Sequence, residues 1–157
     1  MIVPHEVYVR AYKAQGFAGK AIKWFTFGSY SHVSLVFDFD GTDSIEYESI
    51  QGAGVISHAP TELKEYNLFR APLTHGQVQL AWHWVKAIRG KYDWGGIWGF
   101  MRRKESQSDR KWFCSEYVAY VLLKAGYPLS RRDPYRETPT TVAETLRLEA
   151  VFEGGGA

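Results

Sequence analysis

Residues 112–123 have the sequence WFCSEYVAYVLL, which places the only cysteine of the chain, Cys114, at the start of a predicted apolar helix. The first turn of a helix leaves backbone N–H groups unpaired and carries a positive partial charge. Because this environment favours the thiolate form, Cys114 is a candidate nucleophile, expected to be partly open to a groove and to add little to the packing. An inert small hydrophobe in a core also suits the position, and this stretch alone leaves both interpretations open.

The composition indicates one folded domain. A chain of 157 residues with 45% hydrophobic and 16% aromatic content can bury a core without disulfides, which excludes a disordered protein. We expect a single domain over residues 1–153 and a flexible glycine-rich tail over residues 154–157. Six Trp and ten Tyr exceed what a small core needs, so some of these rings are expected to line a groove.

Charge, histidine spacing and hydropathy bear on partners and location. The net charge of +2 is mild, so nucleic-acid binding is not predicted. None of the five histidines has a cysteine partner at zinc-ligand spacing, so no metal site is expected. The N-terminus lacks a signal-peptide pattern and no apolar run is long enough for a transmembrane segment, so we expect a cytoplasmic protein. The oligomeric state is not predicted.

Apolar and polar residues alternate through much of the first half, which predicts strands. The predicted strands are Val7–Tyr12, Ser31–Phe39, Ser44–Ile50, Gly54–Ser57 and Lys64–Ala71. A turn at residues 40–43 joins the second and third of them into a hairpin. A helix is predicted over Gly19–Phe27.

Helical spacing dominates the second half. The predicted helices are His75–Arg89 with Thr74 as its cap, a short one over Asp93–Phe100, the cysteine helix to Ala125 before Gly126, and a last one over Thr140–Leu148. A polar loop precedes the cysteine helix, and a strand over Ala150–Glu153 ends the domain. Strands followed by helices predict an α+β fold with a small antiparallel sheet packed against helices.

The hairpin supplies partners for a cysteine nucleophile, which needs a base and a group that orients the base. A turn centred near Gly41 brings His32 opposite residues 48–50, where Glu48 can accept the imidazole N–H. Glu46 lies nearer the turn and is expected to be a solvated surface carboxylate whose replacement is nearly neutral. From position alone, a backbone-satisfied His32 and a solvent-facing Glu48 stay open as alternatives.

Four motifs carry a resemblance to a known family. They are WFTFGSYSHVSLV at residues 24–36, ESIQGAGV at residues 48–55, GKYDW at residues 90–94 and FCSEYV at residues 113–118. In this order they resemble the permuted branch of the NlpC-type papain-like cysteine hydrolases. This is the YiiX- and YebB-like group, which is related to lecithin:retinol acyltransferase. In that branch the histidine strand precedes the cysteine helix.

The resemblance implies a circularly permuted papain-like (NlpC-like) fold and a role for each matching residue. Cys114 would be the nucleophile, His32 the base and Glu48 the polar third residue, with Glu46, one pleat along the strand, as the alternative third residue. Tyr92 of the Tyr-Asp motif would hold the oxyanion or the substrate carbonyl.

The implied reaction is acyl transfer from an amide or ester without a cofactor. The expected substrate is a peptide or peptidoglycan, which makes the protein a bacterial or phage stem-peptide amidase or endopeptidase, released by lysis or carried in a phage particle. One alternative is an acyltransferase or deacylase acting on a lipid-like acyl substrate. A non-catalytic binding or structural module is the other.

Overall fold

A computed structural model describes residues 2–13, 29–50, 53–62, 65–88, 91–92 and 111–155. Its strands are β1 (Glu6–Lys13), β2 (Tyr30–Asp38), β3 (Ser44–Ile50), β4 (Gly54–His58), β5 (Tyr66–Ala71), β6 (Lys91–Tyr92), β7 (Lys111–Trp112) and β8 (Glu149–Gly155). Its helices are α1 (His75–Ala87), α2 (Cys114–Lys124) and α3 (Pro139–Ala143), with a 3-10 turn at Pro134–Arg136.

Six strands form one antiparallel sheet in the order β4-β3-β2-β1-β5-β8, and β6 pairs with β7 in parallel. Helix α2 packs on β2 and β3, and α1 packs beside α2. The predicted α+β class, with an antiparallel sheet against helices, is therefore confirmed. Among the described residues, no helix has the length and apolar character needed to cross a bilayer.

The predicted hairpin is present, and its turn explains its register. Gly41 has a φ of 80°, a conformation that glycine adopts without strain. Asp40 Oδ1 accepts hydrogen bonds from the backbone N–H groups of Thr42 at 2.9 Å and Asp43 at 3.0 Å. The strands leaving this turn pair Val36 with Glu46. Since side chains alternate between faces, the even-numbered residues of β2 and β3 share one face of the sheet.

Odd-numbered residues of β1 and β2 form most of the sheet's part of the apolar core. They are Val7, Val9, Ala11, Val33, Leu35 and Phe37, all fully buried. The same cluster contains Tyr117, Val118, Val121 and Leu122 from α2. Fully burying one such aliphatic side chain contributes about 1.5–3 kcal/mol, so this face ties the cysteine helix to the hairpin.

Both long helices begin and end near the predicted residues. Thr74 and Gln77 form a capping box at the start of α1, which ends at Ala87, two residues before the predicted Arg89. Gly126 follows α2 with a φ of 80°, and its N–H donates to the carbonyl of Leu123 at 3.0 Å. A left-handed glycine in this place ends a helix, as the sequence predicts.

The C-terminal segment differs from the prediction in two places. Helix α3 ends at Ala143 and does not reach Leu148, because Thr145 donates its hydroxyl to the carbonyl of Leu129 at 2.9 Å and the chain turns there. Strand β8 runs beyond Glu153 to Gly155, which pairs with Tyr66. The predicted helices over Gly19–Phe27 and Asp93–Phe100 lie outside the described residues.

Candidate active site

The even-numbered face of the sheet carries polar side chains that are largely buried. The register pairs Tyr12 of β1 with His32 of β2, and their rings lie 5.5 Å apart. One step along, Arg10 pairs with Ser34. Arg10 is 2% exposed and Ser34 is fully buried, which is uncommon for polar side chains unless they are paired.

The structure brings His32 and Glu48 together. Nε2 of His32 contacts Oε2 of Glu48, and the two side chains are 18% and 11% exposed. The hairpin register therefore leads to the predicted contact. Because Glu48 occupies Nε2 of His32, Nδ1 is the ring nitrogen left for another partner.

Cys114 is the first residue of α2, and its sulfur is close enough to His32 to act on the charge of the imidazole. The residue has no exposed surface and belongs to the core cluster, so the expectation of a thiol partly open to a groove is wrong. The reason is the packing of α2, whose first six residues are all buried. The cysteine thus combines a position suited to a nucleophile with a contribution to the packing.

The pKa values of His32 and Glu48 shift in opposite directions. Burial alone would lower the pKa of His32, but the charge of Cys114, hydrogen bonding to Cys114 and the contact with Glu48 together raise it to about 10. Burial would raise the pKa of Glu48, but hydrogen bonds and charge from His32 and His58 lower it to about 2. At neutral pH His32 is therefore an imidazolium and Glu48 a carboxylate.

Glu46 corrects the prediction of a solvated surface carboxylate. It is fully buried, and its Oε2 lies 3.1 Å from Nη1 of Arg10. Its Oε1 accepts hydrogen bonds from the hydroxyl groups of Tyr12 and Ser34. Position along the hairpin does not reveal this environment, because two of the three partners lie on β1, across β2 from Glu46.

Arg10 reaches across the sheet to the segment after β4. Its guanidinium donates to the carbonyl of Thr61 and to Oε1 of Glu62, both at 2.9 Å. The ring of Tyr66 lies beneath it, with 3.8 Å between the ring centroid and the guanidinium carbon. Arg10 thus holds a buried network under the His32–Glu48 pair.

His58 is a residue of the site that the sequence analysis missed. It is the last residue of β4, and its Nε2 lies 2.6 Å from Oε1 of Glu48. The predicted strand ends one residue earlier, at Ser57, which leaves His58 outside the sheet. The alternation through Gly54 and Ile56 offers the signal that extends the strand, because it puts His58 on the face of Glu48.

Tyr92 lies in β6, which pairs with β7 two residues before Cys114. This pairing brings the strand of Tyr92 next to the segment that leads into α2. The predicted role of the Tyr92 side chain at the oxyanion stays a prediction. Ser115, the neighbour of Cys114, donates its hydroxyl to the carbonyl of Glu137 at 2.6 Å, which gives it a role in packing.

One group of carboxylate and imidazole side chains among the described residues has the spacing of a metal site. Ligand atoms of Glu46, Glu48 and His58 all lie within 4.8 Å of one another. Each already has protein partners: Glu46 pairs with Arg10, and Glu48 lies between two histidines. A cation there would face the guanidinium beside Glu46, so this group fits a hydrogen-bonded network better than a metal site.

The described residues thus form an α+β domain in which a histidine and a glutamate on an antiparallel sheet face a cysteine at a helix start. A solved structure with this fold is that of the metalloprotein YiiX from Escherichia coli O157:H7, with a TM-score of 0.73. The similarity covers 96% of this chain and 97% of YiiX at 19% sequence identity, which shows a shared fold. No protein-family model and no curated protein matches the sequence.

The lowered pKa of Glu48 predicts a loss of stability in acid. A group whose pKa falls from 4.5 to about 2 on folding stabilises the folded state above pH 4.5 and loses that contribution as the pH falls towards 2. Urea unfolding at pH 5 and pH 3 measures this effect. We expect the wild type to lose about 1–2 kcal/mol more than Glu48→Gln over this interval. Equal losses in the two proteins would contradict the lowered pKa.

Proposed function

We propose that this protein is a cysteine hydrolase that cleaves amide or ester bonds through an acyl-enzyme. One observation carries the proposal: Cys114 at the start of α2 lies beside His32, which is paired with Glu48. A nucleophile, a base and a group that orients the base are the three parts this chemistry needs.

Each residue has a defined step in the proposed mechanism. The Cys114 thiolate attacks the carbonyl carbon, and the His32 imidazolium gives its proton to the leaving amine or alcohol. The neutral His32 then takes a proton from water, which attacks the thioester and releases the acid. Glu48 stabilises the imidazolium and holds the ring in one orientation. The backbone N–H of Cys114 donates to the oxyanion, and Tyr92 is proposed as the second donor.

Assignment of this chain to the permuted NlpC-type cysteine hydrolases is part of this proposal. The strand that bears His32 precedes the helix that bears Cys114, which is the order of the permuted NlpC-type hydrolases that the motifs resemble. That resemblance supports peptidoglycan stem peptides or related peptide amides as substrates, with lipid-like acyl groups as the alternative. The similarity to YiiX supports the fold on which this assignment rests.

The description of YiiX as a metalloprotein raises metal binding as another candidate function. The group that Glu46, Glu48 and His58 form does not fit this function, because the Arg10 guanidinium holds the Glu46 carboxylate and the two histidines hold Glu48. The proposed mechanism therefore involves no metal. A non-catalytic binding module is the remaining alternative, and it predicts no acyl-enzyme.

Acetylation of Cys114 by p-nitrophenyl acetate tests the proposal. The probe is small because the sulfur is buried, and a thiol adduct is unambiguous because the chain has one cysteine. We expect a burst of nitrophenol at pH 7 and one acetyl group on Cys114 in the acid-quenched protein. His32→Gln is expected to lower the burst rate about a hundredfold, since general acid–base catalysis contributes on this order.

Two outcomes of this experiment count against the proposal. Absence of a thiol adduct in the folded wild type favours the binding module. An adduct that forms equally fast in His32→Gln shows that Cys114 reacts without its proposed base. Once an adduct is established, stem-peptide amides, lipid amides and esters are compared by the rate at which each acylates Cys114.

A further inference from the structure

His58 on β4 and His32 on β2 reach Glu48 from the two strands that flank β3, on the same face of the sheet. In the β3–β4 register His58 lies directly across from Glu46 and diagonally from Glu48. Diagonal neighbours on one face are within reach of a long or aromatic side chain. Glu46 is already held by groups on β1 and β2, and the imidazole of His58 contacts Oε1 of Glu48 at 2.6 Å.

The two nitrogens of His58 face two acceptors. Nε2 lies 2.6 Å from a carboxylate oxygen of Glu48, and Nδ1 lies 2.7 Å from the carbonyl oxygen of Ala59. A neutral imidazole has one N–H and would leave one of these contacts without a proton, whereas an imidazolium donates to both. Glu46, across the strand pair, adds a further negative charge. The geometry therefore favours the cationic form of His58.

The two oxygens of the Glu48 carboxylate contact different imidazoles. Oε2 contacts His32 and Oε1 contacts His58. The terminal torsion of a glutamate is otherwise broad, so a single contact leaves the carboxylate free to rotate. Contacts from two sides fix the plane of the Glu48 carboxylate. The fixed carboxylate in turn sets the orientation of the His32 ring that it contacts.

We propose that His58 is a positioning residue of the candidate active site, which holds the second oxygen of Glu48 and thereby orients His32 towards Cys114. This inference rests on the proposed cysteine hydrolase function, in which the orientation of His32 matters for catalysis. His58 itself touches neither the sulfur nor the position of a substrate carbonyl in the proposed mechanism. Its side chain is 31% exposed, so it can be replaced without opening the core.

Two variants of His58 separate positioning from a merely structural role. His58→Gln keeps an N–H donor near the position of Nε2, whereas His58→Leu removes the donor and keeps an apolar side chain of moderate size. His5→Leu replaces an exposed histidine immediately before β1 and is the matched control. For each protein, the rate of Cys114 acetylation by p-nitrophenyl acetate and the imidazole ¹⁵N and ¹H shifts of His32 are measured at pH 7.

We expect His58→Leu to lower the acetylation rate about tenfold and to move the His32 shifts, since a loosened catalytic geometry costs rate on this order or more. His58→Gln is expected to stay within about twofold of the wild type, and His5→Leu to match it. A rate for His58→Leu within twofold of the wild type would overturn the proposal, and so would equal losses in the Leu and Gln variants.

The His32 shifts distinguish this proposal from the proposed function. If the wild type is not acetylated at all, the hydrolase proposal fails, but the shifts still report on the orientation of His32. Shifts that move in His58→Leu and return in His58→Gln support a positioning role. Shifts that stay unchanged in both variants overturn it.

Discussion

Replacement of Cys114 by serine is expected to lower the rate of acyl-enzyme formation at least about a thousandfold, because removing a nucleophile costs on this order or more. A serine hydroxyl holds its proton far more tightly than a thiol, and its oxygen is smaller than sulfur. The His32 imidazolium is paired with Glu48 and already carries both ring protons. It therefore cannot accept the proton of a serine hydroxyl. The measurement is the burst of nitrophenol from p-nitrophenyl acetate at pH 7.

Cys114→Ala is the control that separates chemistry from packing. Because Cys114 is fully buried, alanine leaves a small cavity and is expected to cost about 1 kcal/mol of stability, measured by urea unfolding. The variant should stay folded at 25 °C and form no acyl-enzyme. A burst of wild-type size in either variant would exclude Cys114 as the nucleophile, whatever the fold.

Local sequence patterns are sufficient to predict the parts of the site that depend on one hairpin and one helix. Alternation in β2 and β3 and a turn at Gly41 lead to the contact between His32 and Glu48, because a short turn defines the register of its two strands. The apolar run before Gly126 predicts the cysteine helix in the same way. In both cases the determining residues are close in sequence.

Contacts between distant strands could not be predicted in this way. The burial of Glu46 depends on β1 lying beside β2, and periodicity identifies a strand's faces without showing what covers them. The contact of His58 with Glu48 could not be predicted for the same reason, because it requires β4 to lie beside β3. Helix α3 is shorter than predicted because Thr145 bonds to Leu129, which is 16 residues away in sequence. Each of these depends on tertiary structure that overrides a local preference.

The buried network under the site also shows why the two neighbouring glutamates are expected to differ. Glu48 contacts two histidines, and a histidine that loses its carboxylate can give up its proton and become neutral. Glu46 contacts Arg10, whose guanidinium stays charged in proteins. Removing the charge of Glu48 therefore leaves no obligatory buried cation, whereas removing that of Glu46 does.

Glu46→Gln is accordingly expected to lower the free energy of unfolding by about 3 kcal/mol, since breaking a buried ion pair by removing one partner costs about 3–5 kcal/mol. The lower end applies because Arg10 keeps the carbonyl of Thr61 and the exposed carboxylate of Glu62. Urea unfolding at pH 7 gives the value, and a fall in Tm of about 10 °C accompanies it. This replaces the sequence-based expectation of a nearly neutral substitution.

Two further variants test whether the loss of stability in Glu46→Gln comes from the unpaired charge of Arg10. Glu48→Gln is expected to lose about 2 kcal/mol at pH 7, less than Glu46→Gln because its two histidines can become neutral, while its acyl-enzyme formation slows. The double variant Arg10→Met with Glu46→Gln is expected to recover part of the loss of Glu46→Gln, since the unpaired cation is gone. If Glu46→Gln stays within about 1 kcal/mol of the wild type, Glu62 and Thr61 are sufficient to stabilise Arg10. If the double variant is less stable than Glu46→Gln, Arg10 acts through packing on Tyr66 and not through its charge.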